Sequence, residues 1–227
     1  IVFEPLAYRL FRFKDFDVVV SLSIAFSRFV KPKNIKHINL CMSPPKFLWQ
    51  KEDRTVKDIS QLSGVNRFLY KVYSSFLGKI LENRWRKLDV ESAQECSKII
   101  ANSNVVKERI KKTYGIDADV IYPPVEVSKI QSFGSVNRKE NWFLYMGRIE
   151  AYKGVKIAIE ACAKLGYPLK IAGTGDDLDA MKQLVHDLNA RGLIKFLGFV
   201  SEKEKLELLS KAKALIFPVR GEDFGMV

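Results

Sequence analysis

The stretch Gly147-Arg148-Ile149-Glu150-Ala151-Tyr152-Lys153-Gly154 follows an apolar run at 142–146, and what comes after it decides the fold. Val155, Ala158, Ile159, Cys162 and Leu165 recur at i, i+3, i+4, i+7 and i+10, the spacing of one helix face. Gly166 supplies a stop, and Pro168 leads into a second apolar run at 169–172. The pattern then repeats. Residues 176–189 place Leu178, Met181, Val185 and Leu188 on one helical face, with Gly192 as the stop. A third strand is predicted at 194–197. Ser201-Glu202-Lys203-Glu204 has the form of a capping box and opens a helix carrying Leu206 and Leu209. A fourth strand at 214–217 ends at Pro218. Strands alternating with amphipathic helices predict an α/β fold built on a parallel sheet with crossover helices.

Three loops follow these strands: 147–154, Gly173-Thr174-Gly175, and the approach to Glu222-Asp223-Phe224-Gly225. Loops after parallel strands open at one edge of the sheet, so all three can meet one ligand. Arg148 offers a two-pronged donor to phosphate oxygens and Lys153 a mobile point charge, and both stand where a helix start favours an anion. The glycines permit close backbone approach, and N–H groups of the 173–175 turn can face a ligand. Glu222 can accept hydrogen bonds from sugar hydroxyls. The set suits a diphosphate joined to a polyhydroxylated group. Taken singly, each element reads equally as an ordinary loop. Gly173-Thr174-Gly175-Asp176-Asp177-Leu178 puts Leu where a dinucleotide fingerprint needs its third glycine, which argues against hydride chemistry.

The first half repeats the alternation less cleanly. Strands are predicted at 17–21, 37–41, 98–101 and 120–122, and a largely helical stretch at 61–95. Asn102 or Ser103 can cap a helix that runs to Tyr114 and stops at Gly115. Residues 125–140 carry Ser, Gly and Asn without periodicity and read as a linker, so domains are expected at 1–128 and 129–227. Cys41-Met42-Ser43-Pro44-Pro45-Lys46-Phe47-Leu48-Trp49 stands at a strand end. Its prolines fix the loop, and Lys46 with Trp49 can hold an acceptor. Tyr8–Lys14 and residues 69–88 mix aromatic and basic side chains, as helices packed on a sheet or lying on an anionic membrane both do.

The 227 residues carry 38 basic and 26 acidic side chains, a formal charge of +12, which favours anionic partners. Charge alone would admit a nucleic-acid-binding module, but no recognised nucleic-acid motif accompanies it. Cys41, Cys96 and Cys162 lie far apart in or beside apolar segments and read as free thiols of a reducing compartment. Two histidines and no paired cysteine motif argue against a zinc site. No apolar run is long enough to span a bilayer, and the first residues lack the marks of a signal peptide.

Together these pieces resemble a family 4 glycosyltransferase of the GT-B fold, in its mannosyltransferase-like branch. Tyr145–Gly154 resembles the phosphate-binding loop. Phe196-Leu-Gly-Phe-Val200 resembles the segment beside the nucleobase, and Phe217-Pro218 through Glu222–Gly225 the opening of the E-x7-E motif. Residues 101–103, 114–115 and 120–125 resemble the stretch leading out of the first domain. Cys41–Trp49 resembles the acceptor-side loop. The resemblance implies two Rossmann-like parallel-sheet domains facing a cleft, with retaining transfer of a hexose from a nucleoside-diphosphate sugar. In that scheme Arg148 and Lys153 bind the donor diphosphate in place of a metal, with no cofactor, and Glu222 holds the sugar. Gly147, Gly173, Gly175, Val200, Phe224 and Gly225 complete the donor site. Met42, Ser43, Pro44 and Lys46 face the acceptor. GDP-mannose is the favoured donor, and the acceptor is a lipid-linked or polysaccharide intermediate. The location is cytoplasmic, with peripheral contact at the inner face of the membrane and no nucleic-acid partner.

Two departures accompany the resemblance. Met42 stands where the family usually has a His. The second Glu of E-x7-E would fall past Val227, as though both ends of a GT-B chain were cut away. A noncatalytic nucleotide-sugar-binding fragment is therefore the competing expectation.

Overall fold

The computed structural model describes residues 4–49, 64, 76–128, 139–219 and 221–225. They divide into two compact units, one of residues 1–123 with Asp223–Gly225, the other of 124–222 with 226–227. The predicted linker at 125–140 and the predicted helical stretch at 61–95 lie partly outside the described residues.

Helix α1 (Glu4–Leu10) opens the first unit and precedes β1 (Val18–Ser23) and β2 (Lys36–Cys41). After the short α2 (Lys46–Trp49) come α3 (Phe76–Gln94), β3 (Lys98–Ala101), α4 (Asn104–Tyr114) and the two-residue β4 (Asp119–Val120). All pairings are parallel, in the order β1-β2-β3-β4. Ser103 is the N-cap of α4, its hydroxyl accepting from the Val106 N–H, and Gly115 closes the helix in the left-handed region at φ 72°.

Unusually for a parallel strand, β1 turns two serines inward beside Val19 and leaves most of its aliphatics out. Ser21 and Ser23 are buried, whereas Val18, Val20, Leu22 and Ile24 are exposed. The serines meet a polar ladder on β2: Ser21 Oγ lies 2.8 Å from His37 Nε2, and Asn39 Nδ2 donates to Ser21 Oγ at 2.8 Å and Ser23 Oγ at 3.0 Å. Buried polar groups persist only when paired, and this ladder pairs them across two strands.

In the second unit the chain runs β5 (Phe143–Met146), a 3-10 turn at Ala151–Lys153, α5 (Val155–Leu165), β6 (Leu169–Ala172) and α6 (Leu178–Asp187). It continues through β7 (Ile194–Gly198), α7 (Glu202–Lys211) and β8 (Ala214–Leu215). The sheet is parallel, in the order β7-β6-β5-β8. One face carries Tyr145, Leu169, Ile171 and Ile194 against Val155, Ala158, Ile159 and Cys162 of α5 and Val185 of α6. The other packs Trp142, Leu144, Met146 and Ala172 against Leu208 and Leu209 of α7. Both halves of the capping box form, with the Ser201 hydroxyl on the Glu204 N–H and the Glu204 carboxylate on the Ser201 N–H.

Several local expectations need correction. Leu165, the last apolar residue of α5, is 66% exposed, and Leu188, which lies just past the end of α6, is 41% exposed, so neither is part of the buried face predicted for it. Gly192 does not stop α6. The turn falls at Asn189, whose φ of 52° is left-handed, a conformation Asn tolerates better than most residues.

Candidate functional site

The order β7-β6-β5-β8 sets the place. The chain leaves β5 toward β6 and β7, then returns to pair β8 on the other side of β5. Strand order reverses between β5 and β8, and ligands of open α/β sheets bind outside the carboxyl ends of the strands at such a point. Loop 147–154 leaves β5 there, and residues 216–219 leave β8.

The loops after β5 and β6 are zipped together. Gly147 N donates to Ala172 O at 3.0 Å, Ile149 N to Thr174 O at 2.9 Å, and Asp177 N to Ile149 O at 3.2 Å. The backbones are so close that a Cβ on Gly173 would lie 1.9 Å from Gly147 O, and one on Gly175 2.3 Å from Ile149 O. Gly173 N is itself spent on Gly198 O at 2.7 Å. This corrects the expectation for that group: it ties β6 to β7 and does not face a ligand. The two glycines serve approach of one loop to another. Gly154, at φ 74°, does the same for the loop after β8, where a Cβ would meet Pro218 O at 2.4 Å.

From this frame the charged groups project. Lys153 Nζ donates to Glu222 Oε2 at 2.9 Å. Arg148 holds Glu150 Oε1 at 3.0 Å through Nη1 and donates to the Tyr152 hydroxyl at 2.5 Å through Nη2. The Tyr145 hydroxyl, beneath the loop, donates to Arg148 O at 3.1 Å and lies 3.5 Å from Lys153 O, so one phenol reaches both ends of the turn. Burial pushes its pKa up to about 12, with help from Tyr152 and Glu150, so it is a neutral donor at physiological pH. Arg148, Lys153, Glu222, Gly147, Gly173 and Gly175 are thus brought to one edge. Val200 follows β7 and lines a cleft of about 300 Å³ with Trp142, Lys170 and Phe199.

The remaining candidates belong to the first unit. Met42 is half-buried, and Ser43 and Pro44 are buried at the end of β2. Lys46 Nζ lies 3.1 Å from Asp223 Oδ2, Arg109 pairs with Asp223 Oδ1, and Ser103 Oγ donates to Asp223 O at 2.6 Å. Phe224 lies 5.9 Å from Tyr122, ring to ring, and Gly225 adopts φ 77°. Helix α3 anchors the far end of the 41–49 loop. Asp89 Oδ2 accepts from Trp49 Nε1 at 2.8 Å, and Arg86 donates to Leu48 O at 2.6 Å. Asp89 is wholly buried with Arg28 and Tyr114, and burial drives the Tyr114 hydroxyl pKa far up. Burial also pushes the Cys41 and Cys96 thiols up to about 11, so they are not nucleophiles at neutral pH. The three cysteines are free.

Sequence reasoning missed Tyr145, Asp177 and the Arg28–Asp89–Tyr114 group. The Tyr145 hydroxyl bonds main-chain carbonyls of the loop that follows it, while the partners of Asp177 and of the Arg28–Asp89–Tyr114 group lie in other elements that no local spacing announces.

The fold is of the GT-B class. Sucrose-phosphate synthase from Thermosynechococcus elongatus is similar at TM-score 0.62 and 14% identity, over 99% of this chain and 55% of that one. Residues 127–227 match the family described as Glycosyl transferases group 1. The O-antigen chain mannosyltransferase RfbU of Salmonella typhimurium is 33% identical over 178 residues, covering 76% of this chain and 46% of the relative. The D-rhamnosyltransferase WbpZ of Pseudomonas aeruginosa is 28% identical over 182 residues, covering 73% and 46%. The chain therefore spans about half the length of the curated relatives it matches. Among the described residues no helix is long and apolar enough to cross a membrane.

Proposed function

We propose that the protein transfers a hexose, with mannose favoured, from a nucleoside-diphosphate sugar to a lipid-linked or polysaccharide acceptor with retention at the anomeric carbon. One observation carries the reading: Arg148, Lys153 and Glu222 gather at the β5/β8 switch point of the second unit, on loops locked by glycine contacts. The bond that breaks joins the sugar's anomeric carbon to a phosphate oxygen. That oxygen departs with the electron pair, and the acceptor's hydroxyl oxygen takes its place on the same face, its proton passing to the departing phosphate oxygen. Charge builds on the diphosphate as it leaves, and Arg148 and Lys153 are fixed cations ready to meet it. Glu222 meets the donor's hydroxyls. Val200 completes the donor site in the second unit, and the 42–46 loop serves the acceptor side. The named activity of the O-antigen relative supports mannose and a polysaccharide intermediate, and the net charge of +12 suits peripheral contact with an anionic membrane face.

The test is a transfer assay on the full-length protein with GDP-mannose, UDP-glucose, ADP-glucose and a CMP-sugar, given an extract of lipid-linked glycan intermediates. Incorporation from GDP-mannose is expected. Neither transfer nor hydrolysis from any of the four would overturn the proposal.

A further inference from the structure

Asp177 stands at the N-cap of α6, where an Asp side chain ordinarily accepts from an N–H of its own first helical turn. It makes no such bond. Its Oδ2 instead accepts the N–H of Ala151 at 2.6 Å, across the gap between two loops, while its own N–H donates to Ile149 O at 3.2 Å. Ala151 begins the 3-10 turn that ends at Lys153. From the opposite side the Tyr145 hydroxyl holds the carbonyl of Arg148. The 148–153 loop bearing both cations is therefore clamped twice, by a carboxylate at the start of α6 and a phenol on β5. We infer that Asp177 is a positioning residue for the Arg148–Lys153 loop, setting the place of the two cations without touching the donor. The inference rests on the donor-site reading above.

The sign of the effect separates positioning from simple charge. A carboxylate near a diphosphate repels it, so removing the charge alone tightens binding. Removing the tether loosens a turn whose order would then have to be restored at binding, which weakens it. Asp177→Asn keeps an acceptor oxygen and loses the charge, whereas Asp177→Ala loses both. Because Asp177 does not cap its own helix, neither change removes an α6 cap.

The experiment has two readouts on the full-length protein. Amide hydrogen exchange without ligand reports the tether directly. Exchange at Ala151 is expected to rise at least about tenfold in Asp177→Ala, to stay near wild type in Asp177→Asn, and to be unchanged at 144–146 in both. Calorimetric titration with GDP and GDP-mannose reports its consequence. Asp177→Ala is expected to weaken both ligands about tenfold, and Asp177→Asn to leave them equal or tighter. In a Lys153→Ala background the Asp177→Ala effect is expected to shrink to about threefold, because the loop retains only one of the two cations it positions. Unchanged exchange at Ala151, equal weakening by Asn and Ala, or full additivity with Lys153→Ala would each overturn the inference. Wild-type protein that binds neither GDP nor GDP-mannose would count against the donor-site reading, and exchange at Ala151 would still decide the tether.

Discussion

Lys153 and Glu222 form the charged centre of the second unit, 2.9 Å apart with side chains 23% and 27% exposed. An ion pair that open to water adds little to stability, so under the proposed function its worth lies in what it presents to an anion. Lys153→Ala is expected to weaken a nucleoside-diphosphate ligand about ten- to hundredfold by calorimetry, the range of one charge-assisted contact. The same change is expected to lower kcat about a hundredfold or more, as loss of a group that meets developing charge does. A donor affinity unchanged within twofold would place the diphosphate elsewhere. In the first unit, His37 gives a pH signature. Burial lowers its pKa below the ordinary value, against a smaller opposing effect of Glu95. The folded chain therefore takes up the proton less readily than the unfolded one. Stability is full above about pH 6.5, the unfolded value, and falls as pH drops toward the folded pKa. The loss of Tm between pH 7 and 5 is expected to be smaller in His37→Gln than in wild type. An identical loss in the two proteins would assign the acid sensitivity to other groups.

At the scale of elements, glycine contacts hold the site. Gly173→Ala would push a methyl to within 1.9 Å of Gly147 O at φ 140°, and is expected to cost about 2–4 kcal/mol in urea denaturation. Gly192→Ala meets nothing within 4 Å and is expected to stay within about 0.5 kcal/mol of wild type. Equal stability of the two variants would show that the loops after β5 and β6 can separate. These elements also show what could be read beforehand. The helical period of Val155, Ala158, Ile159 and Cys162, the glycine stops at 115 and 166, and the Ser201–Glu204 box are local signals that specify their own geometry. All three appear in the structure. The loop-to-loop contacts were hidden because their cause lies in another segment. Nothing near Gly173 says that its neighbour is Gly147, and an Asp at a helix start reads as a cap, not as a tether to Ala151. The inward serines of β1 were equally illegible. An apolar run such as 17–21 fixes a strand but not which face turns inward, and the polar ladder of Asn39 and His37 settled that.

For the whole molecule, two parallel four-stranded units each leave features that bear on behaviour in solution. Strand β1 is at the edge of its sheet, with Val20, Leu22 and Ile24 58–72% exposed. An unpaired edge beside an aliphatic face favours association with other chains. The 227-residue chain is expected to self-associate with rising concentration in sedimentation velocity, and Val20→Lys with Leu22→Lys to restore the monomer. Monomeric wild-type chain at micromolar concentration would contradict this. At the same scale, the match of residues 127–227 to the group 1 glycosyltransferases supports the proposal that the second unit is the donor side, with the β5/β8 switch point as the site. The most direct test of that claim is calorimetric titration of GDP-mannose into the full-length protein and into its Arg148→Ala/Lys153→Ala double variant, with circular dichroism to confirm equal folding. The account predicts micromolar binding to the wild type and a loss of at least about a hundredfold in the variant. Equal affinity in two equally folded proteins would contradict it.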